Sequence, residues 1–171
     1  MIYLNLMRHA KSECSSHNRN DFDRPISKKG ILQTYVIKKF LKSKNISFDF
    51  YFCSPSNRTK QTLKYLLNNE SVKNTNIVED FNLYEGDNDN FLLRLSKIQG
   101  FKNILVITHE PQISYFTNYF LGASIHSRKL SQIQPVTSSI ISIKFNVDKW
   151  NFISNHNAEF SQFIDPNKLL K

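Results

Sequence analysis

Residues 103–108 read Asn-Ile-Leu-Val-Ile-Thr, with large apolar residues at four consecutive positions. An unbroken apolar run is typical of a strand whose two faces are both covered by helices in a largely parallel sheet. The run is followed by a helix predicted over about 111–121, which Gly122 closes. This segment therefore predicts an α/β domain.

The same alternation of strand and helix fills the chain before this segment. Apolar strands and amphipathic helices are separated by polar turns that contain proline, serine or glycine. The predicted strands cover residues 2–7, 48–53 and 76–79, and the predicted helices cover about 27–43, 56–67 and 89–99. We therefore predict a three-layer α/β/α architecture around a largely parallel central sheet.

The helix over 27–43 has Ser27 as its predicted N-cap. Its core-facing stripe is predicted from helical spacing to consist of Leu32, Tyr35, Val36 and Phe40. The other faces of this helix carry several lysines, Lys38, Lys39 and Lys42 among them. These lysines are either a composition bias or a docking face for an acidic phosphoprotein.

The C-terminal part of the chain predicts a β-hairpin. Residues 138–146 alternate between apolar and polar, and we pair them with residues 150–154. The last residues, about 156–171, are predicted to be a loosely held tail. With 171 residues and no linker-like stretch, the whole of 1–171 is expected to form a single domain.

The composition excludes a disordered chain, and the net charge leaves the function open. A hydrophobic fraction of 40% with 14 Phe and 7 Tyr is too apolar for a disordered chain. The net charge is +9, and residues 1–73 contain 14 Lys or Arg against 5 Asp or Glu, whereas residues 74–171 contain 9 of each. A clustered positive field attracts nucleic acid, a membrane surface or a phosphorylated substrate, so charge alone does not choose a function.

Neither the cysteines nor the histidines form a metal-binding pattern. Cys14 and Cys53 lie far apart, and the histidines show no His-Glu-x-x-His spacing. We expect no metal and no other cofactor. The start of the chain lacks a signal-peptide pattern and no apolar run approaches the ~20 residues of a membrane span, which predicts a cytoplasmic protein.

Three of the predicted strands end at residues that suit phosphate chemistry. Arg8 and His9 follow the first strand, Arg58 lies shortly after the second, and His109 follows the strand at 103–108. Ligands of such sheets bind beyond the carboxyl ends of the strands. Arginine forks bind a phosphoryl group, and a neutral imidazole is a nucleophile that can take it up without a metal. A second histidine adds electrostatic stabilisation of the phosphoryl oxygens.

The motifs at these positions resemble successive signatures of the histidine phosphatase superfamily, also called phosphoglycerate mutase-like. They are similar above all to its short SixA-type phosphohistidine phosphatases, and the resemblance runs in order over about 2–122. The segments that carry it are Leu-Met-Arg-His-Ala-Lys-Ser at 6–12, Asp-Phe-Asp-Arg-Pro-Ile-Ser-Lys-Lys-Gly at 21–30, Cys-Ser-Pro-Ser-Asn-Arg-Thr-Lys-Gln-Thr at 53–62, Leu-Tyr-Glu-Gly at 83–86 and Thr-His-Glu-Pro at 108–111. Ala10 replaces the glycine of much of the superfamily, as is usual in the SixA-like group.

The resemblance implies a phosphoglycerate mutase-like fold and a role for each matching residue. His9 is implied to be the nucleophile that becomes phosphohistidine. Arg8, Arg58 and His109 are implied to form the phosphate pocket, with His109 as a second catalytic residue. Glu85 is the candidate general acid, and the alternative for it is a solvated loop carboxylate.

Two further residues are candidate phosphate ligands. Arg24 follows the nucleophile loop and is either at the mouth of the site or in a salt bridge to Asp21 or Asp23. Ser12 either binds phosphate or caps the loop.

Three functions are compatible with this sequence. The leading prediction is a metal-independent, SixA-like phosphatase of protein phosphohistidine, with a phosphorylated protein such as a phosphotransfer domain of a signalling relay as its partner. The second is a phosphatase of a small phosphorylated molecule with the same histidine chemistry. The third is a non-catalytic basic module that binds nucleic acid or another anion. Because no nucleic-acid-binding motif is present, we expect neither nucleic acid nor membrane as a partner.

Overall fold

The computed structural model describes residues 1–14, 20–67, 76–122 and 133–170. Six strands in these ranges form one mixed sheet with the order β3-β2-β4-β1-β5-β6. The strands are β1 (Ile2–Arg8), β2 (Phe50–Cys53), β3 (Ile77–Glu79), β4 (Asn103–Thr108), β5 (Ile140–Phe145) and β6 (Ala158–Ile164). The first four are parallel to their neighbours among themselves, and β5 and β6 are antiparallel additions next to β1.

Helices cover both faces of this sheet, which confirms the predicted three-layer architecture. They are α1 (Lys28–Ser43), α2 (Asn57–Leu67), α3 (Asn82–Glu85), α4 (Asn88–Ser96), α5 (Gln112–Leu121) and α6 (Pro166–Leu169), with short 3₁₀ helices at Asp21–Asp23 and Trp150–Phe152. The side chains of α3, α4 and α5 pack on one face, and those of α1, α2 and α6 pack on the other. Within the described residues, no helix is both long enough and apolar enough to cross a membrane.

Strand β4 explains why the apolar run at 104–107 is unbroken. Its neighbours are β1 and β2, both parallel to it, so it lies inside the sheet. Ile104 and Val106 belong to the core on one face, and Leu105 and Ile107 belong to the core on the other. Because successive side chains of a strand point to opposite faces, both sets must be apolar when helices cover both faces.

The predicted core stripe of α1 is wrong in half of its members. Leu32 and Tyr35 are each 50% exposed, while the polar Gln33 and Thr34 are buried. The buried face consists instead of the helically spaced Gly30, Gln33, Thr34, Ile37 and Leu41. At its start this face touches the loop after β1, where a Cβ added to Gly30 would lie 2.2 Å from the carbonyl oxygen of Lys11.

Polar contacts fix the same orientation of α1. The side-chain oxygen of Gln33 accepts hydrogen bonds from the Lys11 backbone N–H at 3.4 Å and from the Thr137 hydroxyl at 3.0 Å. Ser27 caps the helix as predicted, and its hydroxyl accepts a hydrogen bond from the Gly30 N–H at 3.2 Å. The start of α1 is thereby fastened to the segment that follows Arg8 and His9.

The C-terminal hairpin exists, but its second strand is not the predicted one. Residues 150–152 form a 3₁₀ helix in which Trp150 is buried and donates a hydrogen bond from Nε1 to the carbonyl of Phe101 at 2.8 Å. The partner of β5 is β6, with Ile140 opposite Ile164 and Phe145 opposite Ala158.

The expectation of a loosely held tail is therefore also wrong for the described residues up to 170. Strand β6 is only half buried, and that weak apolar signal hides it in the sequence. Asp165 caps α6 by accepting a hydrogen bond from the Asn167 N–H at 2.9 Å, and Leu169 packs against the core beneath α1 and α2.

Candidate active site

The carboxyl ends of β1, β2 and β4 meet at one edge of the sheet. Arg8 is paired with Thr108 across β1 and β4, and the His9 N–H donates to the Thr108 carbonyl at 3.0 Å. The N–H of Ser54, just after β2, donates to the Ile107 carbonyl at 3.0 Å. These strand ends bring the rings of His9 and His109 to a centroid separation of 5.1 Å.

His9 has a fixed tautomer. Its Nδ1 lies 2.8 Å from the backbone carbonyl oxygen of Ala10. Because a carbonyl oxygen only accepts hydrogen bonds, Nδ1 must carry the proton, and Nε2 keeps its lone pair. The Ala10 N–H in turn donates to the Thr62 hydroxyl at 2.9 Å, which ties the loop after β1 to α2.

The surroundings of His9 also keep it neutral. Burial lowers its pKa to about 3, and the nearby His109, Arg58 and Arg8 act in the same direction, against the hydrogen bond to Ala10. At neutral pH the imidazole is therefore unprotonated. A neutral imidazole with a free Nε2 lone pair is competent to attack phosphorus.

His109 is buried and contacts a chain of hydroxyl groups. Its Nε2 lies 3.1 Å from the Ser56 hydroxyl, which lies 2.8 Å from the Thr59 hydroxyl. Thr59 donates to the carbonyls of Ser54 and Ser56 at 2.6 and 2.7 Å, so Ser56 donates to Thr59. The Ser56 oxygen is then left to accept a hydrogen bond from Nε2–H of His109.

The charge state of His109 responds to its neighbours. Burial and then the Arg58 charge lower its pKa to about 4, although its Nδ1 contact with the Leu83 carbonyl at 3.4 Å opposes this. An anion in the site would favour the protonated ring, whose two N–H groups both have acceptors. His109 can thus serve as a cationic partner of a bound phosphoryl group.

Arg58 lies buried in the first turn of α2 and is held by one residue. It donates from Nη1 to the carbonyl of Asp21 at 2.6 Å and from Nη2 to the Asp21 carboxylate at 2.9 Å. Arg24 binds the other oxygen of the same carboxylate at 2.7 Å. Partial burial opposes the effect, but Arg24 and Arg58 hold the pKa of Asp21 below its usual range.

Arg8 supplies a buried donor that lacks an acceptor. Its Nη1 donates to the carbonyl of Pro135 at 2.8 Å. Its Nε is buried and has no hydrogen-bond partner among the described residues. Because an unsatisfied buried donor is costly, an oxyanion bound here would relieve that cost.

The two secondary candidates contact each other. Arg24 donates from Nη2 to the Ser12 hydroxyl at 2.8 Å, and its carboxylate partner is Asp21. The predicted salt bridge between Arg24 and Asp21 is present, and because Asp21 also binds Arg58, it places Arg24 next to the site as well. The Ser12 hydroxyl accepts this hydrogen bond from Arg24. The backbone of Ser12 forms an isolated antiparallel β-bridge with Ile26.

Glu85 is exposed next to Tyr84, at the edge of the site. It lies at the C-terminal end of α3, just before Gly86 with its φ of 84°. In the described ranges, no hydrogen bond or ion pair joins the Glu85 carboxylate to His9, His109 or either arginine. The neighbouring Tyr84 approaches the site instead, with its ring 5.6 Å from that of His109.

Sequence reasoning missed three contributors to the site. The sequence analysis gives Asp21 a role only as a partner of Arg24, and it gives Ser56 and Tyr84 no role of their own within the motifs that contain them. Asp21 and Ser56 stand in the two motifs that contain Arg24 and Arg58, which is the signal that could have found them. Among the residues that the structure describes, no group of three or more His, Cys, Asp or Glu is placed to hold a metal ion.

Comparison with known proteins gives a consistent result. A sequence profile of the histidine phosphatase superfamily, branch 1, matches residues 4–91, which is just over half of the chain. No curated protein sequence matches the chain significantly.

Solved structures share its fold at low identity. A protein assigned as the phosphohistidine phosphatase SixA from Agrobacterium tumefaciens has a TM-score of 0.79 at 18% identity, covering 96% of this chain and 98% of its own. The protein histidine phosphatase SixA complexed with tungstate has a TM-score of 0.78 at 20% identity, with coverages of 98% and 99%. The alpha-ribazole phosphatase from Shigella flexneri has a TM-score of 0.68 at 16% identity, with coverages of 96% and 97%. The fold is thus phosphoglycerate mutase-like, as the sequence predicts.

Proposed function

Because this chain belongs to the histidine phosphatase superfamily, we propose that it is a phosphatase that hydrolyses phosphohistidine on a protein through a phosphorylated His9. The observation that carries the proposal is the state of His9. Its imidazole is partly buried and neutral, it has a free Nε2 lone pair, and it lies near His109 and two arginines.

The reaction takes place in two displacements. In the first, the Nε2 lone pair of His9 attacks phosphorus, a new N–P bond forms, and the N–P bond to the substrate imidazole breaks. The departing imidazole nitrogen takes a proton from solvent or from Glu85. In the second, water attacks the phosphoryl group on His9, inorganic phosphate leaves, and His9 regains its lone pair.

The arginines and His109 stabilise the phosphoryl oxygens during both steps. Arg58 presents a guanidinium at the start of α2, and Arg8 presents a buried Nε without an acceptor among the described residues. Fixed donors and positive charges in a buried site lower the energy of the phosphoryl group as its charge is redistributed. His109 becomes protonated when the anion binds and adds a third positive charge.

A nitrogen leaving group does not depend on Glu85 as a general acid. An alkoxide needs a proton as it departs, whereas an imidazole departs with less help. Glu85 is exposed and is not bonded to the cluster in the described part of the chain. A phosphohistidine substrate therefore fits the site whether or not Glu85 donates a proton, and the class of protein that we propose to carry it is a phosphotransfer domain of a signalling relay.

A phosphatase of a small phosphorylated molecule is the second candidate. The shared fold with an alpha-ribazole phosphatase favours it, because the same scaffold there serves a small substrate. Free thiols at Cys14 and Cys53 fit the reducing cytoplasm as the place of action for either candidate.

The test compares substrates and traps the intermediate. Wild-type protein is expected to turn over a phosphohistidine protein faster than a panel of phosphorylated metabolites, with and without a chelator. Rapid acid-free quenching should give a base-stable, acid-labile label on His9, and the His9→Ala variant should show neither label nor turnover. Full activity of His9→Ala, or an acid-stable label, would contradict the proposed mechanism.

A further inference from the structure

The helices α1 and α2 carry positive charges only. Neither helix contains an Asp or a Glu, although the chain has 14 of them in total. The cations are Lys28, Lys29, Lys38, Lys39 and Lys42 in α1, and Arg58, Lys60 and Lys64 in α2. A general bias towards lysine would not by itself remove every carboxylate from two neighbouring helices.

This distribution works against the stability of α1. Lys28 and Lys29 lie in its first turn, where the helix dipole disfavours positive charge. Lys38 and Lys42 are one turn apart, and burial together with the charge of Lys42 lowers the pKa of Lys38. The lysines at the start of α1 therefore cost it stability, whereas Lys42 lies in the last turn, where the dipole favours it, and Lys38 donates to the Tyr65 carbonyl of α2 at 3.4 Å.

Between the two helices lies a groove with an apolar floor, which we name the basic groove. It has a volume of about 590 Å³ and is lined by Leu32, Tyr35 and Tyr65 together with Lys28, Lys38, Lys39 and Lys42. Leu32 and Tyr35, which helical spacing assigned to the core, are each 50% exposed here, and Tyr65 is 43% exposed. The Lys39 ammonium lies over the ring of Tyr35, 4.7 Å from its centroid.

One end of the basic groove lies at the start of α1, which is bonded to the segment that follows His9. The N-cap Ser27 donates from its backbone N–H to the Lys11 carbonyl at 2.8 Å, and Lys11 is two residues beyond His9. From Lys28 the groove follows α1 to Lys42, a distance of about 20 Å at the rise of an α-helix. A protein whose phosphohistidine occupies the site could therefore lie along the groove.

We propose that the basic groove binds an acidic segment of the phosphoprotein substrate, with carboxylates against the lysines and apolar side chains against Leu32 and Tyr35. This deepens the proposed function and rests on it. Charge complementarity selects an acidic partner, and the proposed substrate of the neighbouring site is a protein, so we assign the groove to a polypeptide. A single-stranded nucleic acid, whose bases would stack on the tyrosines, is the alternative that the test includes. The groove lies outside the catalytic cluster, so it affects substrate binding and not the displacement at phosphorus.

Two sets of variants test the proposal. One triple variant reverses the charge of the groove: Lys38→Glu, Lys39→Glu, Lys42→Glu. Its control makes the same change in net charge at exposed lysines elsewhere: Lys97→Glu, Lys102→Glu, Lys149→Glu. Tyr35→Ala tests the apolar floor, and Tyr119→Ala is its control because Tyr119 is also 50% exposed. Thermal melting of each variant checks that the fold is retained.

The assay measures kcat and KM for a phosphohistidine protein and for free phosphohistidine. We expect the groove triple variant to raise KM for the protein by about tenfold, with an unchanged kcat, and Tyr35→Ala to raise it by a few-fold. KM for free phosphohistidine should not change, and both controls should behave as wild type. Equal effects on the two substrates, or equal effects of the control triple variant, would overturn the proposal.

Failure of the proposed function would look different. In that case wild-type protein would hydrolyse neither phosphohistidine substrate, whatever the state of the groove. If wild type hydrolyses both and the groove variants are indistinguishable from it, the docking proposal alone fails. Tight, salt-sensitive binding of single-stranded RNA that only the groove triple variant loses, with no KM change for the protein, would assign the surface to nucleic acid and overturn the proposal.

Discussion

Acidification from pH 8 to pH 5 is expected to destabilise this fold through its two active-site histidines. The folded-state pKa is about 3 for His9 and about 4 for His109, whereas an unfolded histidine titrates near 6.5. Below pH 6.5 the unfolded chain therefore protonates both histidines, whereas the folded chain keeps them neutral until the pH approaches the folded pKa values. Stability from these groups is complete above pH 6.5 and is lost as the pH falls towards the folded pKa values.

The size of the effect follows from the pKa differences. Each histidine removes about 1.4 kcal/mol of unfolding free energy per pH unit below 6.5. At pH 5 the loss is about 2 kcal/mol for each ring and about 4 kcal/mol for both, out of a total that is commonly about 5–15 kcal/mol. Most carboxylates titrate below this window, and the lowered pKa of Asp21 moves its own contribution further down.

Urea unfolding measures this loss directly. Trp150 is the single tryptophan and is buried, so its fluorescence reports global unfolding. With an m-value of about 2 kcal/mol/M, the urea midpoint should fall by about 2 M between pH 8 and pH 5. His9→Gln and His109→Gln should each remove about half of that fall, and the double variant should remove nearly all of it.

Two results would refute this reasoning. The first is a wild-type unfolding free energy that changes by less than about 1 kcal/mol between pH 8 and pH 5. The second is a double variant that keeps the full pH dependence, since the protons would then bind elsewhere. Inorganic phosphate should reduce the loss in wild type, because a bound anion favours a protonated His109.

Three further predictions concern single residues. Asp21→Asn removes the negative charge that is bound to Arg58, and it should lower the inhibition constant of inorganic phosphate by about threefold or more. A higher inhibition constant would instead mean that Asp21 is needed to hold Arg58 in place. Glu85→Gln should leave phosphohistidine turnover within about threefold of wild type, and a hundredfold loss in kcat would identify Glu85 as the acid for that substrate. Gly30→Ala places a Cβ 2.2 Å from the Lys11 carbonyl and should lower the unfolding free energy by about 1–3 kcal/mol in urea titrations, whereas an unchanged value would contradict that contact.

Much of the fold was predictable because a buried strand or helix leaves a regular pattern of apolar residues in its own stretch of sequence. The run at 104–107 requires helices on both sides, and the bounds of β4 agree with the prediction. The weak pattern of 158–164 was not recognised, since an edge strand with one half-exposed face has few apolar positions. The second strand of the hairpin was consequently misplaced onto 150–154.

Most of the candidate site was also predictable, and for a geometric reason. Parallel strands place their carboxyl ends at one edge, so residues that follow three different strands come together without any knowledge of packing. Arg8, His9, Arg58 and His109 are brought together in this way. Glu85 also follows a strand of the same sheet, β3, but the structure leaves its side chain exposed.

The sequence by itself determined the layered architecture, the order of the motifs and the convergence of the histidines and arginines, because periodicity and strand order are local properties of the chain. Only the tertiary structure decided that Asp21 occupies Arg58, that His9 is neutral with its proton on Nδ1, and that α1 turns Leu32 and Tyr35 outward. Each of these depends on burial or on contacts between elements distant in sequence, such as Gly30 against Lys11. Such contacts exist only once the chain has packed, so no local pattern encodes them.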